Sequence, residues 1–299
     1  MKAIVIGLFG ALFFSVTFVL NRSMDLEGGS WVWSASLRFI FMLPILFIIV
    51  GYKQNVKPVI THIKRTPVPW LIWSIVGFGL FYAPLTFASS YGPGWLVAAT
   101  FQLTIVAGSL LVPFITKSQK QILPLQSILF SVIILIGIGM MQVDHATEVP
   151  MINVILTIVP LIISAFAYPL GNRKMMQLVN GDLNTFQRIL GMTIASMPFW
   201  LALSIYGLMF HGFPSSSQII QTLIVAISSG IIATALFFYA TELVQYDNRK
   251  LAGVEATQSG EVIFALIGEI IILSAPIPSL VSLIGTLLVI IGMLLHSLK

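Results

Sequence analysis

The sequence predicts an all-α, polytopic membrane protein with ten transmembrane helices arranged as two inverted five-helix repeats. Three observations lead there. The chain is 58% hydrophobic and 8% charged, with a mean hydropathy of +1.01, and no soluble domain of 299 residues can bury that much apolar surface. Its Lys and Arg residues gather in alternate gaps between apolar runs. Its two halves carry the same short motifs in the same order.

A helix needs about 20 apolar residues to cross a hydrocarbon core of about 30 Å. Ten runs meet that need, at 3–20, 31–50, 70–88, 94–116, 122–141, 151–171, 185–210, 219–242, 253–274 and 279–298. Helices are expected because a backbone in lipid must satisfy its own hydrogen bonds. Barrel strands would alternate apolar and polar residues, and these runs do not. Met1-Lys2 followed by an apolar run mimics a signal peptide. The run is long and lacks a small-x-small cleavage site, so we read it as a retained first helix.

One set of gaps holds Lys2, Lys53, Lys57, Lys64, Arg65, Lys117, Lys120, Arg173, Lys174, Arg249, Lys250 and Lys299, with Arg188 at the edge of span seven. The other set holds only Arg22. The positive-inside rule then places both termini in the cytoplasm of a cell-membrane protein. The gaps at 89–93 and 275–278 are short and uncharged, and Asp144 and Glu148 are the only charges of a third outer gap. Trp31, Trp33 and Trp95 fall near the outer interface and Trp70 and Trp73 near the inner one, where an aromatic belt would lie. The net charge of +5 is this topological bias and calls for no nucleic acid. The chain has no cysteine, so it has neither disulfide nor thiol chemistry.

Residues 1–145 and 146–299 read as the two repeats. Asn21-Arg22-Ser23-Met24 matches Asn172-Arg173-Lys174-Met175, and Arg38 matches Arg188. Phe81-Tyr82-Ala83 matches Phe238-Tyr239-Ala240, with Ala99-Thr100 and Ala256-Thr257 at the same distance beyond. Ile138-Gly139-Met140 matches Ile291-Gly292-Met293. Five helices per repeat is an odd number, so the second half enters the membrane from the opposite side. Inverted pairs of this kind are typical of secondary transporters, with the substrate site near the midplane between halves.

On these residues the chain resembles the drug/metabolite transporter superfamily in its ten-helix form of two EamA-type halves. The stretch Gly253-Val254-Glu255-Ala256-Thr257-Gln258-Ser259-Gly260-Glu261, running on to Gly268-Glu269, is similar to the branch labelled multidrug resistance efflux transporter. The resemblance covers nearly the whole chain and implies membrane export of small molecules. The small four-helix exporters of this superfamily carry an essential Glu in their first helix. Span one here has no acid, so their mechanism does not transfer. The Pro that often follows the small-residue start of spans four and nine is also missing.

Ionisable groups inside a bilayer are costly and by default mark a site or an ion path. Arg38 lies about 10 Å into span two and Glu261 about 12 Å into span nine, at 1.5 Å per residue. Both depths reach the central region. A carboxyl group there can take up and release a proton, as proton-coupled export requires, so Glu261 is the proton-coupling candidate. The competing reading is a structural ion pair with Arg38 or Arg188. Glu255 and Glu269 stand fourteen residues apart on nearly one helix face and read as gate or anchor residues. Arg188 does too, near the cytoplasmic entrance of span seven. Asn21, Arg38, Tyr82, Gln102, Tyr168, Tyr239, Gln258 and Ser259 are the candidate substrate-binding or cavity-lining groups. Twelve Met and twenty-one Phe suit a pocket that can repack.

The sequence has no GxxxxGK[ST] loop, no HExxH helix and no G-x-S-x-G elbow, so ATP hydrolysis, zinc and serine-hydrolase chemistry have no motif. Neither a cofactor nor a metal is expected, and the chain does not read as an enzyme. The first expectation is a secondary transporter exporting small amphipathic or cationic compounds by proton exchange, its partners being that substrate, protons and the lipid bilayer. The second is a facilitated exporter of amino acids or other metabolites. A membrane-embedded enzyme on lipid-linked substrates comes third. Monomer and homodimer are both open.

Overall fold

The computed structural model describes residues 1–53, 55–115, 125–147, 149–244, 250, 253–254 and 256–297. Lys117, Lys120, Glu148, Arg249, Glu255 and Lys299 of the sequence reading lie outside the described residues. The described chain is helical and contains no strand. Six of its helices are long and apolar enough to cross a membrane: α1 (Lys2–Leu26), α2 (Trp31–Lys53), α4 (Pro67–Ala88), α8 (Met151–Val179), α9 (Thr185–His211) and α10 (Ser216–Glu242). Shorter apolar helices complete the bundle: α5 (Gly94–Phe101), α6 (Leu103–Ile115), α7 (Leu125–His145), α11 (Ser259–Ile272) and α12 (Leu280–Ser297).

One element was not expected. Residues 57–65, read as a gap, form the amphipathic helix α3 (Lys57–Arg65). Pro58 sits in its first turn, where a missing N–H costs nothing. The expected fourth span is interrupted at Gln102, between α5 and α6. The expected ninth opens with a 3₁₀ turn, Ala256–Gln258, before α11. Two helices widen into π turns, α4 over Ile75–Gly79 and α10 over Ala226–Ala233. Such widenings occur mostly at functional sites.

Packing follows small residues. A Cβ on Gly137 of α7 would lie 2.6 Å from the carbonyl oxygen of Gly285 in α12, and one on Gly285 would lie 2.7 Å from that of Gly137. Gly171 of α8 faces Gly77 in the π turn of α4 so closely that a Cβ on Gly171 would overlap the Gly77 Cα. These contacts let backbones approach, as small residues do between helices in lipid. α1 packs against α10 and α11, α8 against α4 and the α5–α6 pair, and α2 against α9.

The gaps fall into two connected groups. In one, Trp33 Nε1 donates to Gly212 O (2.9 Å), Ser217 to Glu27 (2.6 Å), Arg22 to Ser89 O (3.5 Å), and Ser279 and Ser282 both to Asp144. In the other, Gln187 donates to Asn55 O (2.9 Å), Thr185 to Glu242 (2.6 Å), and His62 lies 3.9 Å from Asp182. None of these bonds joins one group to the other. Trp33, Trp70 and Trp95 are buried. Trp33 Nε1 donates to Gly212 O and Trp70 Nε1 to His62 Nδ1, both at 2.9 Å.

Candidate functional site

Seven helices converge on a central cavity. Its wall takes Phe14, Thr17 and Phe18 from α1, Arg38 from α2, Phe81 and Leu85 from α4, Phe101 from α5, Tyr168 from α8, Ser229 from α10 and Glu261 from α11, with Gln258 from the 3₁₀ turn. The cavity measures about 10 Å³, room for a single water. Arg38 and Glu261, placed at similar depth by sequence, do line one space. Both are buried, at 3% and 2% exposure. Among the described residues neither forms an ion pair, so the structural salt bridge is not present.

The surroundings of Arg38 are specific. Its guanidinium carbon sits 3.9 Å from the centre of the Tyr82 ring, a cation–π contact that partly offsets desolvation. Nη2 donates to Ser229 Oγ at 3.0 Å, in the π turn of α10. Nε and Nη1 have no partner. Tyr82 is itself held: its hydroxyl shares a hydrogen bond with Thr17 Oγ1 (2.7 Å) and accepts from Asn21 Nδ2 (3.3 Å). Phe39, next to Arg38, stacks on Trp200 of α9 with centroids 4.2 Å apart. The guanidinium is therefore carried on a rigid aromatic layer.

Four of the residues expected at the cavity line it: Arg38, Tyr168, Gln258 and Glu261. The others lie off its lining. Asn21 and Tyr82 lie behind Arg38 as supports. Gln102 sits at the α5–α6 break, where its amide donates to Ala98 O of its own helix. Ser259 is buried at the start of α11, off the lining. Tyr239 is 43% exposed and points away from the interior. The reason is register. Arg188 lies 4.3 Å over Phe238, as Arg38 lies over Tyr82. The aromatic that faces the arginine is then Phe238, and Tyr239 turns outward.

Arg188 is buried near the start of α9. It is 4% exposed, and its Nη2 lies 3.6 Å from Glu242 Oε1. Glu269 is an anchor in a definite sense: its carboxylate accepts from the backbone N–H groups of Gly94 (2.7 Å) and Trp95 (3.1 Å) at the start of α5. These are donors that a helix start leaves unpaired, and a negative charge is favoured there. The lining residues that sequence reasoning missed are Phe14, Thr17, Phe18, Phe81, Leu85, Phe101 and Ser229. In a chain with twenty-one Phe no signal singles out these four, although Phe81 stood beside the Tyr82 motif.

A second hollow, of about 370 Å³, lies where the turn after α1 meets the turn after α9. Asp25, Glu27, Trp31, His211 and Gln218 are among its lining residues.

A buried cation and a buried carboxyl group thus share one cavity, with no ion pair between them among the described residues. Comparison with known proteins gives the family. Residues 1–299 match the family model described as "EmrE: Putative multidrug resistance efflux transporter". The chain belongs to this family. It is similar to "Uncharacterized protein YjlA" of Bacillus subtilis (strain 168), with 54% identity over 99% of this chain and 94% of that protein. It is also similar to "Uncharacterized 42.1 kDa protein in intracellular alkaline protease 3'region" of Shouchella clausii, with 51% identity over 87% of this chain and 70% of that protein. A solved structure described as "Crystal structure of protein" shares the fold, with a TM-score of 0.64 at 15% identity, covering 98% of this chain and 96% of the other. The family and the apolar helices make this a multi-pass membrane protein of a transporter family.

Proposed function

We propose that the chain is a cell-membrane secondary transporter that exports small organic solutes in exchange for protons, by alternating access about the central cavity. Its architecture is ten spans in two inverted halves, 1–145 and 146–299, with both termini cytoplasmic. The single observation that carries the reading is the buried Glu261, without an ion pair among the described residues, on a cavity shared with Arg38.

Several contacts support the inverted repeat. Under an exchange of halves, α1 against α10 and α11 maps onto α8 against α4 and the α5–α6 pair, and both sets of contacts are present. Arg38 over Tyr82 maps onto Arg188 over Phe238. The π turn of α4 maps onto that of α10, and the α5–α6 break onto the 3₁₀ start of α11. Discontinuous helices at mid-membrane are where transporters of this kind bind their cargo. The two groups of gaps support alternate sidedness. The 370 Å³ hollow then lies on the outer face, as an exit vestibule.

In this scheme Glu261 carries the proton, and protonation in one facing state and release in the other couple flux to the gradient. The apolar part of the wall suits amphipathic solutes. Arg38 favours a metabolite as the cargo, as in the second of the sequence readings but with the proton exchange of the first, over a simple cation, because a buried guanidinium repels positive charge. The test is flux in liposomes with and without an imposed pH gradient, for amino acids and cationic dyes. Glu261→Gln should abolish gradient-driven movement and leave downhill flux. Uphill transport that survives Glu261→Gln removes the proton role from this residue.

A further inference from the structure

We infer that α3 is a lid on the cytoplasmic side of the molecule, held shut by neutral His62 and released when His62 takes up a proton. This rests on the transport reading above and adds a regulation to it.

Each end of the molecule has a glycine turn. The turn after α1 has Gly28 at φ 79°, and the turn after α8 has Gly181 at φ 84°. Beside the first, residues 212–215 pass from α9 to α10 and leave the hollow of about 370 Å³. Beside the second, the matching link from α2 to α4 is residues 54–66 and contains α3. Under exchange of the halves, α3 stands where the other end is open. Its docked face is narrow. Val59 is fully buried, and it shares Gly191 of α9 with Trp70, in the first turn of α4. A Cβ on Gly191 would lie 2.5 Å from the Trp70 ring. The opposite face of α3, with Lys57, Thr61, Lys64 and Arg65, is exposed. Gln187 Nε2 also donates to Asn55 O, just ahead of α3, at 2.9 Å.

His62 is the latch. Trp70 is fully buried, and its Nε1–H, which can only donate, donates to His62 Nδ1 at 2.9 Å. Nδ1 therefore carries no proton here, and the ring is neutral with its hydrogen on Nε2. Nε2 lies 3.9 Å from Asp182 Oδ2, in the turn after α8. A proton on Nδ1 sets one N–H against another and leaves the buried indole without its acceptor. That loss is costly, and it is relieved when the charged ring leaves Trp70 for Asp182 and water, taking α3 with it. Asp182 does not hold the closed form against this, because it is 69% exposed and its attraction is screened. Lys57, Lys64 and Arg65 travel with His62 on α3. Arg188 of α9 is turned to Glu242 and Phe238, Arg173 of α8 to Gly108 O, and Lys174 of α8 lies over Trp73. Residues 67–74 of α4 carry no charge. Opening thus takes up a proton and is favoured as pH falls, and histidine is the side chain suited to this near neutral pH.

The chain has no cysteine, so one introduced thiol reports on the lid. Val59→Cys places it on the docked face, and Lys64→Cys places a reference on the exposed one. A maleimide is applied to the full chain in detergent at about pH 7.5 and about pH 5.5, across the range where histidine titrates. Dividing the rate at position 59 by that at 64 removes the effect of pH on the thiol itself. The ratio should rise about tenfold or more from the higher pH to the lower, as uptake of one proton on opening allows. His62→Asn keeps an acceptor beside Trp70 and cannot take a proton, so its ratio should stay low at both. Trp70→Phe removes the donor and should make the ratio independent of pH. A ratio that ignores pH with His62 in place, or that rises as much in His62→Asn, overturns the switch, while proton-driven flux in liposomes leaves the transport reading standing. A responding ratio without flux in liposomes overturns the transport reading and leaves the switch. A melting curve of each variant at both pH values separates a released lid from a lost fold.

Discussion

Tyr82 shows how much a single residue does here. It is fully buried, its hydroxyl ties α4 to α1 through Thr17 and Asn21, and its ring carries the Arg38 guanidinium. Tyr82→Phe keeps the ring and removes the hydroxyl. It should cost about 1 kcal/mol of stability, the usual net worth of such bonds, read as a lower Tm in detergent. Combined with Thr17→Val it should cost less than the sum of the two single changes, because both remove the same bond. Additive losses would show that the bond contributes nothing. At this scale the sequence was only partly legible. Arg38 and Glu261 stood out because charge in an apolar run is rare. Tyr239 misled because a motif match does not reveal which of two neighbouring aromatics faces the arginine, and here it is Phe238. Phe14 and Phe101 were invisible among many like residues.

Among the elements, α4 and α8 meet at Gly77 and Gly171 with no space for a Cβ. Gly171→Ala must push them apart, and overpacking of this kind costs about 1–3 kcal/mol. Gly139, with nothing within 4 Å of a built Cβ, is the control: Gly139→Ala should leave Tm unchanged or raise it slightly. Equal effects at both sites would contradict the packing. A second element contact is ionisable. Glu27, just past α1, accepts from Ser217 and Gln221 at the start of α10. Those bonds hold its carboxyl below the ordinary 4.5. A lowered value means the contact contributes above the ordinary value and is lost as pH falls through the lowered one. Glu27→Ala should therefore lower Tm slightly at pH 7, and the difference from the wild type should vanish in acid below pH 4.5. A gap that persists in acid would show that the carboxylate is not its source. The six long helices were plain from hydropathy. The breaks in spans four and nine were not, because apolar runs stay apolar across a turn that buries its own backbone.

Taken whole, the molecule is a helical bundle with one small polar centre and ties between gaps at each end. The alternation of basic residues already implied two ends, and the cross-gap hydrogen bonds group the same gaps together. Under the proposed inverted repeat, the matching helix contacts would give a physical basis for exchange between two facing states, because each half would adopt the packing of the other at similar cost. Alternating access is the central claim, and the absence of cysteine makes it directly testable. Gln258, on the cavity wall beside Glu261, is replaced by cysteine, and a membrane-impermeant maleimide is applied from either face of oriented vesicles under opposite pH gradients. Position 258 should label from both faces, with reversal of the gradient shifting the balance between them. Labelling from one face only, whatever the gradient, would contradict alternating access at this cavity.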